Sequence, residues 1–196
     1  LIAIIDVGGN PALPDKNGWT PLHLAGEKGS VEAVKVLIAA GASLDSASRV
    51  HSLTPLHQAC TFGNIAVCRV LLDAGASPDA RDTRLRTPLH LAAANGHASI
   101  VDCLLSSRSV GGRGGGGGGG APRSLTLSKE HSGFTPLHLA CEGGHEGATV
   151  ALLSAGAPAD VGCDAGYTPL HQAAATGAAG ALRAVLAASK ASISAR

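Results

Sequence analysis

Two thiol–imidazole pairs are the first candidates for chemistry in this chain. His57 and Cys60 stand three residues apart, and so do His138 and Cys141. On a helix that spacing brings both side chains to one face, where an imidazole can take the proton of a nucleophilic thiol. Nine histidines also raise the question of a metal centre. Repetition answers the first of these. The thiol slot holds Gly26, Cys60, Ala93, Cys141 and Ala174 in turn, so it asks only for a small residue. Cys68 and Cys103 fall at apolar positions, where free cysteine behaves as a small hydrophobe. Cys163, in a turn, is the one cysteine expected to be exposed. No paired-carboxylate site, nucleophile elbow or zinc spacing is present, and no Gly-Lys-Ser/Thr follows the glycine run. The chain is therefore not expected to be an enzyme, and neither catalytic residues nor a cofactor nor a small-molecule substrate is assigned.

The elements behind these residues repeat. Thr-Pro-Leu-His begins at Thr20, Thr54, Thr87, Thr135 and Thr168, at steps of 34, 33, 48 and 33 residues. A near-constant period of this size marks a tandem array. Within residues 15–45, Asn17-Gly18 signals a turn. Thr20 suits a helix N-cap and Pro21 the first helical position, where a missing N–H costs nothing. A first helix is expected to run to about Lys28 and stop at Gly29. A second should begin near Val31 and end at Gly41, a left-handed cap. Both are shorter than an isolated helix needs in water, so each must lean on its neighbours.

The turn, the T-P-L-H-x-A helix, the second helix and the Gly-Ala end at 33 residues resemble the ankyrin repeat. The resemblance covers almost the whole chain. It implies an all-α ankyrin-repeat solenoid of stacked helix-turn-helix units with projecting hairpin loops, whose hairpin tips and first helices form the binding face. It also implies that His23, His57, His90, His138 and His171 are structural hydrogen-bonding groups linking the turn to the helix and its neighbour. No metal site is then expected. The segments read as a partial repeat over 1–14 with three repeats to 107, a flexible glycine-rich insertion over 108–122, and two more repeats over 123–196. Repeat two carries one extra residue within 46–53. Repeats four and five replace Ala33/Val36, Val67/Val70 and Ile100/Cys103 by Ala148/Ala151 and Ala181/Ala184, and place Gly147 and Gly180 at their second helices. Their amides are expected to exchange faster than those of the first three repeats, as hydrogen exchange would show.

Candidate binding residues are those that vary while the scaffold repeats. Trp19, Phe134 and Tyr167 directly precede the tetrapeptide, where Leu53 and Arg86 stand in the other repeats. Phe62 lies in the variable pair before the mid-repeat glycine, beside the equivalent Glu27, Lys28, Asn95 and Glu142. Aromatic and Arg side chains are enriched at binding hot spots. The bland alternative is a ring that packs on the neighbouring hairpin. Arg84 and Arg86 share a basic turn with Arg81, which suits an acidic partner segment or is simply a solvated basic loop.

Composition sets the remaining bounds. The formal net charge is +1, so no global field favours nucleic acid or an anionic membrane. Nucleic acid is not expected, because aromatic interleaving is lacking. The first seven residues are apolar but far too short to span a bilayer and make a poor signal peptide. They read better as the end of a preceding helix. Five cysteines without a C-x-x-C pattern argue against a secreted disulfide scaffold. Cytoplasm or nucleus is expected. Methionine is absent, which suggests a piece of a longer protein. The expected function is a non-catalytic protein–protein interaction module with a protein partner. The alternatives are a substrate-recruiting adaptor of a ubiquitin ligase, from a likeness at Cys60, Cys68 and 71–79, or a regulatory domain of a larger enzyme or channel.

Overall fold

Five short helices each open at a Pro that follows Thr, and each is followed within a few residues by a second helix. The computed structural model describes residues 10–106 and 122–194. The apolar start, Gly8 and the glycine run lie outside them. Among the described residues are α1 (Pro21–Lys28), α2 (Val31–Ala39), α3 (Pro55–Thr61), α4 (Ile65–Asp73), α5 (Pro88–Ala94), α6 (Ala98–Ser106), α7 (Pro122–Leu127), α8 (Pro136–Glu142), α9 (Glu146–Ser154), α10 (Pro169–Ala175) and α11 (Ala179–Ser194). The fold class is an all-α repeat solenoid. Gly29 ends α1 in the left-handed region at φ 71°, and Gly41 does so after α2 at φ 83°.

Two compact units divide the chain, Leu1–Pro88 and Leu89–Arg196. In the first, α1 packs on α3 and α2 on α4, so like helices stack on like. Its core is a column of leucines, Leu22 and Leu56 from the first helices and Leu37 and Leu71 from the second. Ala25 and Ala59 sit beside them, also buried, and let the layers approach. The two first helices come close at Gly26, where a Cβ would meet the Pro55 carbonyl oxygen at 2.8 Å. In the second unit, α8 packs on α10, and α9 on both α6 and α11. Leu137, Leu152, Ala140, Ala173 and Val185 are buried within this unit.

Three features depart from the sequence pattern. The segment 122–127 forms α7, which the periodicity did not mark, and Leu125 from it is fully buried. Helix α11 runs to Ser194, because no glycine stands where Gly41, Gly75 and Gly156 break the other second helices at positive φ. Cys163, expected at the surface, is buried. Its backbone N–H donates to the Tyr167 carbonyl at 2.9 Å and closes the last hairpin.

That closing bond recurs. Asp15 N–H donates to Trp19 O, Ser48 to Leu53, Asp82 to Arg86 and Glu130 to Phe134, at 2.8–3.0 Å. The extra residue of repeat two is absorbed inside its turn. Three turns place glycine at positive φ, at Gly18, Gly133 and Gly166, whereas Ser52 and Leu85 occupy the equivalent conformation at φ 52° and 61°. A leucine there carries the left-handed penalty of roughly 1–2 kcal/mol. Part of it returns as glycine's larger entropy loss on folding. Leu85→Gly should therefore stabilise the protein by about 0.5–1 kcal/mol, read as a higher urea midpoint at unchanged m-value.

Candidate functional site

The tetrapeptide histidines build the frame on which any binding surface is displayed. His23, His57 and His138 are fully buried. The Nδ1 of each accepts the backbone N–H of its own Thr at 3.1–3.2 Å, for Thr20, Thr54 and Thr135. The Nε2 donates to a carbonyl of the following repeat, Leu53 at 2.8 Å, Arg86 at 3.2 Å and Tyr167 at 3.0 Å. Within the second unit His90 reaches Phe134 O in the same way, at 3.3 Å. An acceptor at one nitrogen and a donor at the other assign the neutral Nε2–H tautomer. The ring thus fills the Glu/Gln role of a capping box and bonds the next hairpin as well. Neither nitrogen of His57 or His138 is directed at a thiol. Burial pushes the Cys141 thiol up to about 11, so it is not a nucleophile at neutral pH. Cys60 and Cys68 bring their sulfurs to 3.7 Å inside the core. Among the described residues no His, Cys, Asp and Glu cluster could hold a metal ion.

Burial lowers the pKa of His23, His57 and His138 below the ordinary 6.5, partly opposed by their carbonyl partners. Asp15 near His23 and Asp82 near His57 also favour the charged form, while Arg86 beside His57 and Lys129 beside His138 oppose it. The native state therefore refuses protons that the unfolded chain accepts. Stability from these groups is complete above about pH 6.5 and is lost as pH falls through their lowered native values. Each can contribute a slope of up to about 1.4 kcal/mol per pH unit in that window. Urea unfolding followed by circular dichroism should show a midpoint that is flat above neutrality and falls steadily below about pH 6.

A second recurrent position ties the repeats at the other end of the first helices. Asn64 donates through Nδ2 to the carbonyls of Gly26 and Glu27 at 2.7 and 2.8 Å, capping α1 from the next repeat. His145 takes the same slot in the second unit, with Nε2 donating to Ala94 O at 3.0 Å. The sequence shows this position only as the residue after the mid-repeat glycine.

On this frame the variable residues fall into two groups, at opposite ends of the first helices. A helix of eight residues separates them by about 12 Å. At the hairpin end, the Trp19 ring is half-buried and tilted against His23, at 5.5 Å between centroids. Phe134 is stacked on His138 at 5.4 Å, with the planes 6° apart. Tyr167 meets His171 edge-on at 5.8 Å and stays 54% exposed. Each ring thus packs on its own repeat's histidine. Arg84 is exposed at the turn, whereas Arg86 is half-buried. Arg86 holds the buried Asp82 carboxylate through Nε and Nη2, both at 2.8 Å. At the other end, Phe62 is 53% exposed as the C-cap of α3. Glu27 and Lys28 pair with each other at 2.7 Å. The Asn95 amide bonds back to Leu91 O at 2.8 Å, and Glu142 is exposed at the end of α8. The exposed Lys16, Arg49, Val50 and Leu85 of the first unit's turns were not singled out by sequence. The signal was there in their hairpin positions but not in their residue types.

No helix among the described residues is long and apolar enough to cross a membrane. Comparison with curated proteins gave no match. The family described as ankyrin repeats (3 copies) matches residues 1–82 and 119–196, and the single ankyrin repeat matches 84–111. Ankyrin repeats are protein–protein interaction modules, and with nearly the whole length matched, the chain belongs to the ankyrin-repeat family.

Proposed function

We propose that the chain is a non-catalytic protein-binding module that presents variable side chains at the hairpins and first-helix ends to a protein partner. The observation that carries the reading is the exposure of Phe62 and Tyr167, each more than half solvent-accessible at a position that varies between repeats. Large rings left in water at such positions suit interface anchors. Arg84 joins them as an exposed contact. Trp19 and Phe134, half-buried on their histidines, contribute one ring face each. Arg86 acts by holding the turn that presents Arg84, while Glu27 and Lys28 in the first unit, and Asn95 and Glu142 in the second, offer polar contacts. A rigid, hydrogen-bonded frame loses little entropy on binding, which favours affinity without a large interface.

The test is affinity capture from cell lysate by the wild type and by Phe62→Ala/Tyr167→Ala, read by mass spectrometry. Both rings are exposed enough for the variant to keep its circular dichroism spectrum and melting temperature. Proteins held by the wild type and lost by the folded variant support the reading. Equal retention of every captured protein sinks it.

A further inference from the structure

Three consecutive hairpin turns of the first unit are bonded backbone to backbone. Arg49 N–H donates to Asn17 O at 2.8 Å, and Thr83 N–H to His51 O at 3.0 Å. The turns therefore form one continuous edge. Each carries an exposed cation, Lys16 in the first, Arg49 in the second and Arg84 in the third. Among the described residues none of these three has a carboxylate within ion-pairing distance. Three acids of the same unit accept other donors. Asp15 Oδ1 accepts the N–H groups of Asn17 and Trp19, both at 2.8 Å. Asp45 accepts Ser77 N–H at 2.9 Å. Asp82 is buried against Arg86. Among the described residues the Arg49 guanidinium donates only to the Lys16 carbonyl, at 3.3 Å.

Exposed apolar residues directly follow two of these cations in sequence, Val50 after Arg49 and Leu85 after Arg84. Val50 is 60% exposed and Leu85 41%. Leu85 holds its side chain at the turn in a left-handed conformation that other hairpins give to glycine. The arrangement costs stability and leaves an apolar group in water, so folding does not account for it. We propose that this edge docks an extended segment of a partner protein in which acidic residues alternate with apolar ones. Its carboxylates would meet Lys16, Arg49 and Arg84, and its apolar side chains Val50 and Leu85. The proposal rests on the protein-binding reading above and names the chemistry of the partner. Exposed cations on one hydrogen-bonded edge give charge selectivity and a salt-sensitive on-rate.

Fluorescence anisotropy tests it on the full chain. The probes are a fluorescein-labelled peptide of alternating Asp and Leu, the same peptide with Lys for Asp, and labelled oligouridylate. The wild type is expected to bind the aspartate peptide at least about 10-fold more tightly than the lysine peptide. Lys16→Glu/Arg49→Glu/Arg84→Glu should lose at least about 10-fold, while Arg69→Glu/Arg183→Glu, which changes exposed cations elsewhere, should lose less than about 2-fold. Leu85→Gly should bind more weakly while melting at a higher temperature, a combination that misfolding cannot produce. Equal binding of both peptides, an unaffected triple variant, or tighter binding of oligouridylate than of the aspartate peptide overturns the proposal. If the peptide fails while lysate proteins are still lost by Phe62→Ala/Tyr167→Ala, the acidic chemistry falls and the protein-binding reading stands.

Discussion

His57→Ala should lower the stability of the protein by roughly 3–5 kcal/mol, whereas the same change at His171 should cost about 1 kcal/mol or less. Both residues close the same tetrapeptide, so local sequence predicts no difference. The environments do. The His57 ring is fully buried and bonded to Thr54 N–H and Oγ1 on one side and to Arg86 O on the other. Removing it leaves the buried Thr54 N–H without its acceptor, takes from Arg86 O one of its two donors, the other being the Asp82 N–H, and opens a cavity the size of an imidazole. His171 is exposed, and among the described residues its hydrogen bonds go only to Thr168 of its own repeat. His57→Gln separates the two arms. A glutamine at this position can accept the N-cap N–H as a capping box does, but it cannot also donate to Arg86 O. It should recover about half of the loss. Urea titrations at neutral pH measure all three, and equal costs at 57 and 171 would refute the coupling between repeats.

That contrast also shows where the sequence was legible. Period, caps and the Pro–Gly punctuation carry the helix boundaries, because they are local devices repeated five times. The small-residue slot of Cys60 and Cys141 was readable for the same reason, and it removed a catalytic dyad. Burial was less legible. Cys163 occupies a hairpin in the place that Asp15, Asp82 and Glu130 use to close the turn, and it is buried there although Asp15 is exposed, so position in the turn does not set burial. Helix α7 carries no period, since its six residues make fewer than two turns. The long α11 follows from a missing glycine, which is a weaker signal than a present one.

The candidate contacts were half readable. Column comparison finds which positions vary, and it found Phe62 and Tyr167, which are exposed. It does not find which varying side chains are consumed internally. Trp19 and Phe134 spend one face on a histidine, and Arg86 spends its guanidinium on Asp82. Nor does it register the edge built by Lys16, Arg49 and Arg84. Their proximity comes from hydrogen bonds between turns roughly one repeat apart in sequence. Charge counted along the chain sees the Arg-rich turn alone, while the geometry adds one cation from each preceding turn.

Asp82→Ala should cost roughly 2–4 kcal/mol, the second large effect. One carboxylate oxygen accepts the N–H groups of Arg84 and Arg86, both at 2.8 Å. The other receives Nε and Nη2 of Arg86, again at 2.8 Å. Deleting the side chain leaves two amides and a half-buried guanidinium without their acceptor. The residual exposure of Arg86 lets water reach its charge, which keeps the loss below that of a fully buried pair. Arg86 O is also the acceptor for His57 Nε2, so loosening this turn weakens the bond between repeats two and three. Asp82→Asn retains an acceptor for the two amides but turns an NH2 donor toward the guanidinium, so it loses the ion pair and its two hydrogen bonds and should cost about half as much. In a double-mutant cycle with Arg86→Ala, the two changes should fall short of additivity by about 1 kcal/mol or more. A cycle that adds to within a few tenths would mean that Asp82 serves the backbone alone and that the guanidinium is available to a partner.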